Sequence, residues 1–315
     1  MDTVVVLARS FGKASSEPLD ILKKAGLTVA VKKDPEPENE MVVADLIAGA
    51  QAVIVGMDRI GEMVLSRCSN LRVVSKHGVG VDNVDCDAAR RHGVVVANAP
   101  GTNSDSVADM TLALMLGLAR KVPAILENVR NRVWSASAFG SEMGGKVLGL
   151  VGFGRIGQGV ARRARGFDMD VLFYDPLITE TEIAARKVLS LSELFSGADY
   201  ISLHAPLSES TRGMVNESLL GLMKKEAFLI NTARGELIDE AVLFRFLKEG
   251  RIAGAGLDVF SEEPPFDSPL MTLPNVLATP HVASHTREAN SKMGTIAAEN
   301  VVRVLRGEEP LYRVT

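Results

Sequence analysis

Short β-branched runs alternate with amphipathic segments along the whole chain, the mark of a parallel α/β architecture in which helices connect successive strands. In the N-terminal part the strand candidates are residues 4–7, 28–31, 52–55, 71–75 and 94–97. Helical patterns at 18–25, 39–48, 61–67 and 84–91 lie between them, which predicts a five-stranded doubly wound unit. Residues 102–120 follow, polar at their start and then apolar on nearly every face for four turns. A helix of that kind is expected to be buried, as an interdomain crossover that also meets a partner chain. Strands recur at 146–151, 171–174, 199–203, 227–230, 254–258 and 276–278. Helices are expected at 155–167, 216–223 and 239–249, the last two opened by the N-cap residues Asn216 and Asp239. A final amphipathic helix at 288–306 can return to the N-terminal unit. That makes the first domain discontinuous, 1–99 plus 286–315, around a second domain at 100–285.

Composition narrows the class. A chain of 315 residues, 46% hydrophobic and 23% charged, suffices for two cores without disulfides or metal. No metal site is expected. The net charge of −4 argues against nucleic acid, whose binding needs clustered cations. The basic group Arg162, Arg163 and Arg165 falls on a helical pattern and reads as its solvated face. Cys68 and Cys86 stand in no metal or redox spacing, as expected for reduced thiols in the cytoplasm. No basic leader opens the chain, and no apolar run approaches the roughly 20 residues of a membrane span.

The most specific chemistry lies in Val147-Leu-Gly-Leu-Val-Gly-Phe-Gly-Arg-Ile-Gly157. Gly152, Gly154 and Gly157 follow a strand pattern and open a helix. The first glycine permits a tight turn, the second a close approach of backbone to a pyrophosphate, and the third close helix–strand packing. The bared amides and the positive helix end then hold phosphate. Arg155 and Ile156 belong to the same loop. Asp175 ends the next strand, where a carboxylate binds the adenosine ribose hydroxyls and repels a 2′-phosphate. Pro176 and Leu177 come next, so no arginine is at hand to neutralise such a phosphate, and NAD is favoured over NADP.

Ligands of open parallel sheets bind at the carboxyl ends of strands, and four polar groups stand there: Arg234, Asp258, Glu263 and His281. A guanidinium grips a carboxylate bidentately and polarises an adjacent carbonyl. An imidazole gives a proton to a forming alkoxide or takes one from an alcohol, and a bonded carboxylate stabilises its charged form. Singly, each has a plainer reading. Arg234 could be a surface cation, Glu263 a solvated acid and His281 a structural histidine, as His77, His92, His204 and His285 are expected to be unless they line a cleft. The coincidence of three such groups on the edge that carries the phosphate loop favours hydride chemistry on a 2-keto or 2-hydroxy acid.

The segments Val151-Gly-Phe-Gly-Arg-Ile-Gly157, Asn231-Thr-Ala-Arg-Gly-Glu-Leu-Ile-Asp239, Gly256-Leu-Asp-Val-Phe-Ser-Glu-Glu-Pro-Pro265 and Thr279-Pro-His281 occur in order. With His77-Gly-Val-Gly-Val-Asp-Asn-Val-Asp85, they resemble the D-isomer-specific 2-hydroxyacid dehydrogenases, especially the phosphoglycerate dehydrogenase branch, over nearly the whole chain. The resemblance implies a flavodoxin-like substrate domain and a Rossmann NAD-binding domain with a cleft between them, in a homodimer. It implies that Arg234, Glu263 and His281 are the catalytic set, and that Asp258 meets the nicotinamide end of the cofactor. Ala205-Pro206, Thr232-Ala233 and Ser284 match segments that line the cofactor. Gly78-Val79-Gly80 matches the loop that takes the substrate carboxylate, with Lys76 beside it.

Departures from that branch bear on the substrate. Animal-type phosphoglycerate enzymes carry an arginine just after the third strand, where Val53-Ile-Val-Gly-Met57 has no cation before Arg59. Lys76 replaces a second arginine with a point charge that lacks a bidentate fork. The chain also ends soon after its last helical pattern, so no appended regulatory domain is expected. The favoured substrate is therefore a small non-phosphorylated 2-keto acid such as hydroxypyruvate or glyoxylate, with phosphoglycerate dehydrogenase as the alternative. The rival of another class is a non-enzymatic NAD(H)-sensing protein of the corepressor kind. Formate or phosphite oxidation fits less well, since neither needs a carbonyl proton donor. Domain closure is expected, with hinges near 99–101 and 284–287.

Overall fold

A computed structural model describes residues 2–33, 35–135 and 139–315. The chain divides into two compact units, Met1–Asn103 with Ser284–Thr315, and Ser104–Ala283.

The first unit holds five strands, β1 (Thr3–Val6), β2 (Thr28–Val31), β3 (Ala52–Val55), β4 (Val73–Lys76) and β5 (Val95–Ala97). All are parallel, in the order β2-β1-β3-β4-β5. Strands covered on both faces read as unbroken apolar runs rather than alternations, and Ala52-Val-Ile-Val55 is completely buried. Helices α1 (Glu17–Lys24), α2 (Glu40–Ile47), α3 (Glu62–Arg67) and α4 (Cys86–Arg91) make the crossovers. The long helix at the far end of the chain (Arg287–Leu305) belongs to this unit and packs on α1, β3 and β4, burying Ala297, Ala298 and Val301. The carboxyl ends of β1, β3, β4 and β5 share one edge, where the loops around residues 8–12, 56–60, 77–83 and 98–103 emerge.

The second unit begins with α5 (Ser104–Ala119), which buries Val107, Ala108, Thr111, Leu112, Leu114 and Met115. The other elements are α6 (Val122–Arg130), β6 (Val147–Val151), α7 (Arg155–Ala164), β7 (Asp170–Tyr174), β8 (Arg186–Lys187), α8 (Leu191–Gly197), β9 (Tyr200–Leu203), α9 (Glu217–Leu220), β10 (Phe228–Asn231), α10 (Glu240–Lys248), β11 (Gly254–Leu257) and β12 (Val276–Ala278). The last helix of the chain is thus α11. The seven strands are parallel in the order β12-β11-β10-β9-β6-β7-β8, so the winding reverses between β6 and β9. A crevice at such a reversal is where doubly wound sheets take a ligand.

The two parallel α/β sheets are those the alternation predicts. The differences are local. The helix expected over 155–167 stops at Ala164 and tightens to a 3₁₀ turn, closed by Asp168 at φ 53°. The helix expected at 216–223 is shorter, Glu217–Leu220, although Asn216 does cap it. Unexpected among the described residues are α6, α8 and β8, and the short 3₁₀ turns Gly235–Leu237 and Pro269–Thr272. At two residues β8 is too short to show an alternation, and α8 has only seven residues behind its Ser190 cap. Among the described residues no helix is long and apolar enough to cross a membrane.

Candidate active site

The phosphate end of the site is built from β6, α7 and β7. Gly152 turns the chain at φ +92°, and a Cβ there would lie 2.7 Å from the His204 carbonyl carbon. A Cβ on Gly157 would lie 2.3 Å from the Gly152 carbonyl oxygen, so only glycine lets α7 start this close to the turn. Gly154 faces open space, and no side chain caps the first turn of α7. That combination offers free helix-terminal amides to a phosphate. Arg155 beside it is exposed and Ile156 half-buried.

Asp175 follows β7 directly. One carboxylate oxygen accepts the Phe153 amide at 2.7 Å, and the other accepts the Leu177 and Ile178 amides at 2.8 and 3.1 Å. Burial pushes its pKa up, but the three amides and the nearby Lys187 outweigh it and hold the carboxyl below its ordinary value. A fixed anion at this position suits ribose hydroxyls and opposes a phosphate. The open cradle at Gly154 and this half-buried carboxylate fit a dinucleotide.

The chemical end is built from the loops after β10, β11 and β12. Asn231, fully buried, accepts the Ala233 amide at 3.0 Å and donates to the Arg234 carbonyl at 2.7 Å. It thereby folds the loop that carries Arg234. A Cβ on Gly235 would fall 1.9 Å from the Phe260 carbonyl carbon. The Arg234 loop therefore lies directly against the Phe260–Ser261 backbone that leads to Glu263. Glu263 accepts the Phe260 amide at 3.1 Å through Oε1, and its Oε2 is 2.8 Å from His281 Nδ1. Burial raises the Glu263 carboxyl. The hydrogen bond and charge of His281, the Phe260 amide and the charge of Arg234 together lower it further than burial raises it. An ionised Glu263 makes Nδ1 the protonated ring nitrogen, which leaves Nε2 for other chemistry.

His281 has φ +52°, a left-handed backbone uncommon outside glycine. Asp258, only 1% exposed, holds it there. Its Oδ1 accepts the Thr279 hydroxyl and the Val282 amide, its Oδ2 accepts the Ala283 amide at 2.8 Å, and its carbonyl accepts the His281 amide at 2.8 Å. Sequence reasoning gave Asp258 only a role toward the cofactor. The structure adds this scaffolding role, which depends on where a carboxylate turns and leaves no trace in residue spacing. Asn231 was missed for the same reason.

The remaining candidates separate. The Thr232 hydroxyl is buried against that of Thr111 on α5 at 3.1 Å, and Ala233, Ala205 and Pro206 line loops at the same strand ends. His204 lies against Gly152, its Nε2 2.9 Å from the Ser202 hydroxyl, and burial pushes its pKa down to about 3. Ser284 falls in the first unit, where its carbonyl accepts the Thr286 amide. Lys76 and Gly78-Val79-Gly80 are also in the first unit, after β4. Lys76 is nearly buried, and its ammonium donates to the Gly56 carbonyl and to Asn83 Oδ1. Among the described residues there is no group of three or more His, Cys, Asp or Glu placed to hold a metal.

Comparison with known proteins gives a consistent answer. Residues 112–283 match the family model of the D-isomer specific 2-hydroxyacid dehydrogenase NAD binding domain. The chain is 46% identical to the D-3-phosphoglycerate dehydrogenase of Methanocaldococcus jannaschii over 249 residues, covering 78% of this chain and 48% of that protein. It is 40% identical to the glyoxylate reductase of Korarchaeum cryptofilum over 288 residues, covering 88% and 86% respectively. A Thermus thermophilus protein of known crystal structure superposes with a TM-score of 0.90 at 39% identity, covering 99% of this chain and 100% of that one. The chain spans about half the length of the curated phosphoglycerate dehydrogenases it matches. On sequence and fold alike, the chain belongs to the D-isomer specific 2-hydroxyacid dehydrogenase family.

Proposed function

We propose that the protein is an NAD-dependent oxidoreductase that interconverts a 2-keto acid and its D-2-hydroxy acid. The observation that carries this reading is the 2.8 Å hydrogen bond between Glu263 and His281, formed beside the loop of Arg234 at the edge that bears the glycine turn. His281 Nε2 protonates the forming alkoxide, or takes the proton in the reverse direction. Glu263 orients the ring and stabilises the imidazolium. Arg234 grips the substrate carboxylate and polarises the carbonyl. In the first unit, the Gly78-Val79-Gly80 loop offers backbone amides to a substrate carboxylate. The bound nicotinamide supplies the hydride. Gly152, Gly154, Arg155, Ile156 and Gly157 hold its pyrophosphate and Asp175 its adenosine ribose, which favours NAD over NADP. Ala205, Pro206, Thr232, Ala233, Asp258 and Ser284 line the rest of the cofactor.

The preferred substrate is small and unphosphorylated, such as hydroxypyruvate or glyoxylate. Two side chains in the first unit support this. Arg59 lies 3.2 Å from Glu40, and Lys76 is committed to Gly56 and Asn83, so both cations considered for a phosphate are engaged. The second reading, a phosphoglycerate dehydrogenase, is favoured by the identity to the archaeal enzyme of that name. Comparing kcat/KM for hydroxypyruvate, glyoxylate and phosphohydroxypyruvate decides between them. A preference for the phosphorylated acid would reverse the ranking.

The working form in this reading is a homodimer. Support comes from α6, which buries none of its residues, leaves Val122, Ile125, Leu126 and Val129 40–50% exposed, and is followed by exposed Trp134. A second copy of the chain covers this stripe. Cytoplasmic location belongs to the same proposal, supported by the free thiols of Cys68 and Cys86.

A further inference from the structure

The loop Gly78-Val79-Gly80 places a valine between two glycines, and glycine resists rotation of its peptide planes least of all residues. Something else has to fix those planes if the loop is to bind in one orientation. The structure supplies it from the end of β5. The Gly78 carbonyl accepts the Ala99 amide at 2.9 Å, and the Val79 carbonyl accepts the side-chain amide of Asn98 at 2.7 Å. In a planar trans peptide the N–H points opposite to the C=O. The amides of Val79 and Gly80, which share those two planes, are therefore turned away from Asn98 and Ala99. Neither has an acceptor among the described residues. Two successive amides aimed the same way make a site for an anion.

Asn98 is itself well held. Its carbonyl accepts Nδ2 of Asn300 at 3.0 Å, and Asn300 is fully buried, with its Oδ1 accepting the Leu311 amide at 2.9 Å. The other end of the loop is tied by Asn83, whose side-chain amide donates to the Gly56 and Asp58 carbonyls and whose own carbonyl accepts the Ile60 amide at 2.9 Å.

We propose that Asn98 is a positioning residue for substrate: through the Val79 carbonyl, its side-chain amide aims the Val79 and Gly80 amides at the substrate carboxylate. This rests on the reading that the loop takes that carboxylate. Loss of the strut frees the peptide between Val79 and Gly80 to rotate. The substrate then loses hydrogen bonds to its charged group, while the chemistry of the carbonyl carbon is untouched.

The test compares glyoxylate with its neutral methyl ester in wild type and in Asn98→Ala. The kcat/KM for glyoxylate falls about tenfold through KM, as expected for a lost bond to a charged group. The ester changes less than about twofold, since the strut serves only the carboxylate, and NADH affinity is unchanged. Asn98→Leu keeps nearly the shape, removes the donor and adds no charge, so it gives the same collapse of acid-over-ester preference if the alanine variant folds poorly. Equal losses on acid and ester, or no loss, overturn the proposal. If the wild-type protein reduces no 2-keto acid, the enzymatic reading is what has failed. Glyoxylate binding measured by calorimetry then judges Asn98 alone: weaker binding in Asn98→Leu supports the strut, while equal affinity or no wild-type binding overturns it.

Discussion

His281 stands in a conformation that costs a side-chain-bearing residue roughly 1–3 kcal/mol, and it persists only because its surroundings over-determine it. Asp258 is that surrounding: one buried carboxylate gathers a hydroxyl and two amides of the turn around the imidazole. Two other histidines are kept neutral. Burial, with the charges of Lys76 and His285 nearby, pushes His77 down to about 4, against about 6.5 in an unfolded chain. Below about 6.5 the unfolded state binds a proton that the folded ring refuses. Stability is therefore fully present above that value and declines as pH falls, until the folded ring also titrates near 4. The slope in that window is about 1.4 kcal/mol per pH unit for one group. His77→Phe keeps a ring against Phe11 and is predicted to flatten the fall in stability between pH 6.5 and 5 by about that amount. Urea unfolding at a series of pH values measures it, and an unchanged slope would contradict the assignment.

At the level of elements, the glycine turn and Asp175 were legible because one contiguous stretch, β6 through α7 to the end of β7, carries them. The segments with Arg234, Glu263 and His281 could be recognised, and a carboxylate bonded to the imidazole was expected, but the packing of one loop on another could not be read. That the Arg234 loop lies on the Glu263 loop depends on the space beside Gly235, and no spacing in the sequence encodes it. Lys76 illustrates the limit most clearly. As a residue type it reads as a cation for substrate, whereas its geometry ties the loop after β3 to the loop after β4. Replacing Gly235 by alanine tests the loop-on-loop contact. The added carbon meets backbone rather than a flexible side chain, so overpacking of about 1–3 kcal/mol is expected. Arg234 and Glu263 are driven apart, and kcat/KM for a 2-keto acid falls by about a hundredfold, the scale of a small misplacement of catalytic groups. NADH affinity changes little, because the glycine turn lies on β6. Near-normal turnover in Gly235→Ala would show that the contact has no bearing on the chemistry.

For the molecule as a whole, the alternation of strands and helices predicted both parallel sheets, and the structure has them. It did not predict α6, whose apolar stripe finds no cover within its own unit and so lacks a burial signature. The wild type is predicted to sediment as a dimer, and a charge in that stripe, Leu126→Asp, is predicted to leave a folded monomer. A wild-type monomer by light scattering would refute the dimer. The site is predicted to reduce a 2-keto acid with NADH. The most direct measurement is NADH oxidation on mixing with hydroxypyruvate or glyoxylate, in wild type and in His281→Ala, with NADH affinity measured in parallel. Wild type turns over, and the variant loses about a thousandfold of that rate, the usual scale of a lost general acid, with cofactor binding intact. Undiminished turnover in His281→Ala, or none in the wild type with any 2-keto acid, would contradict it.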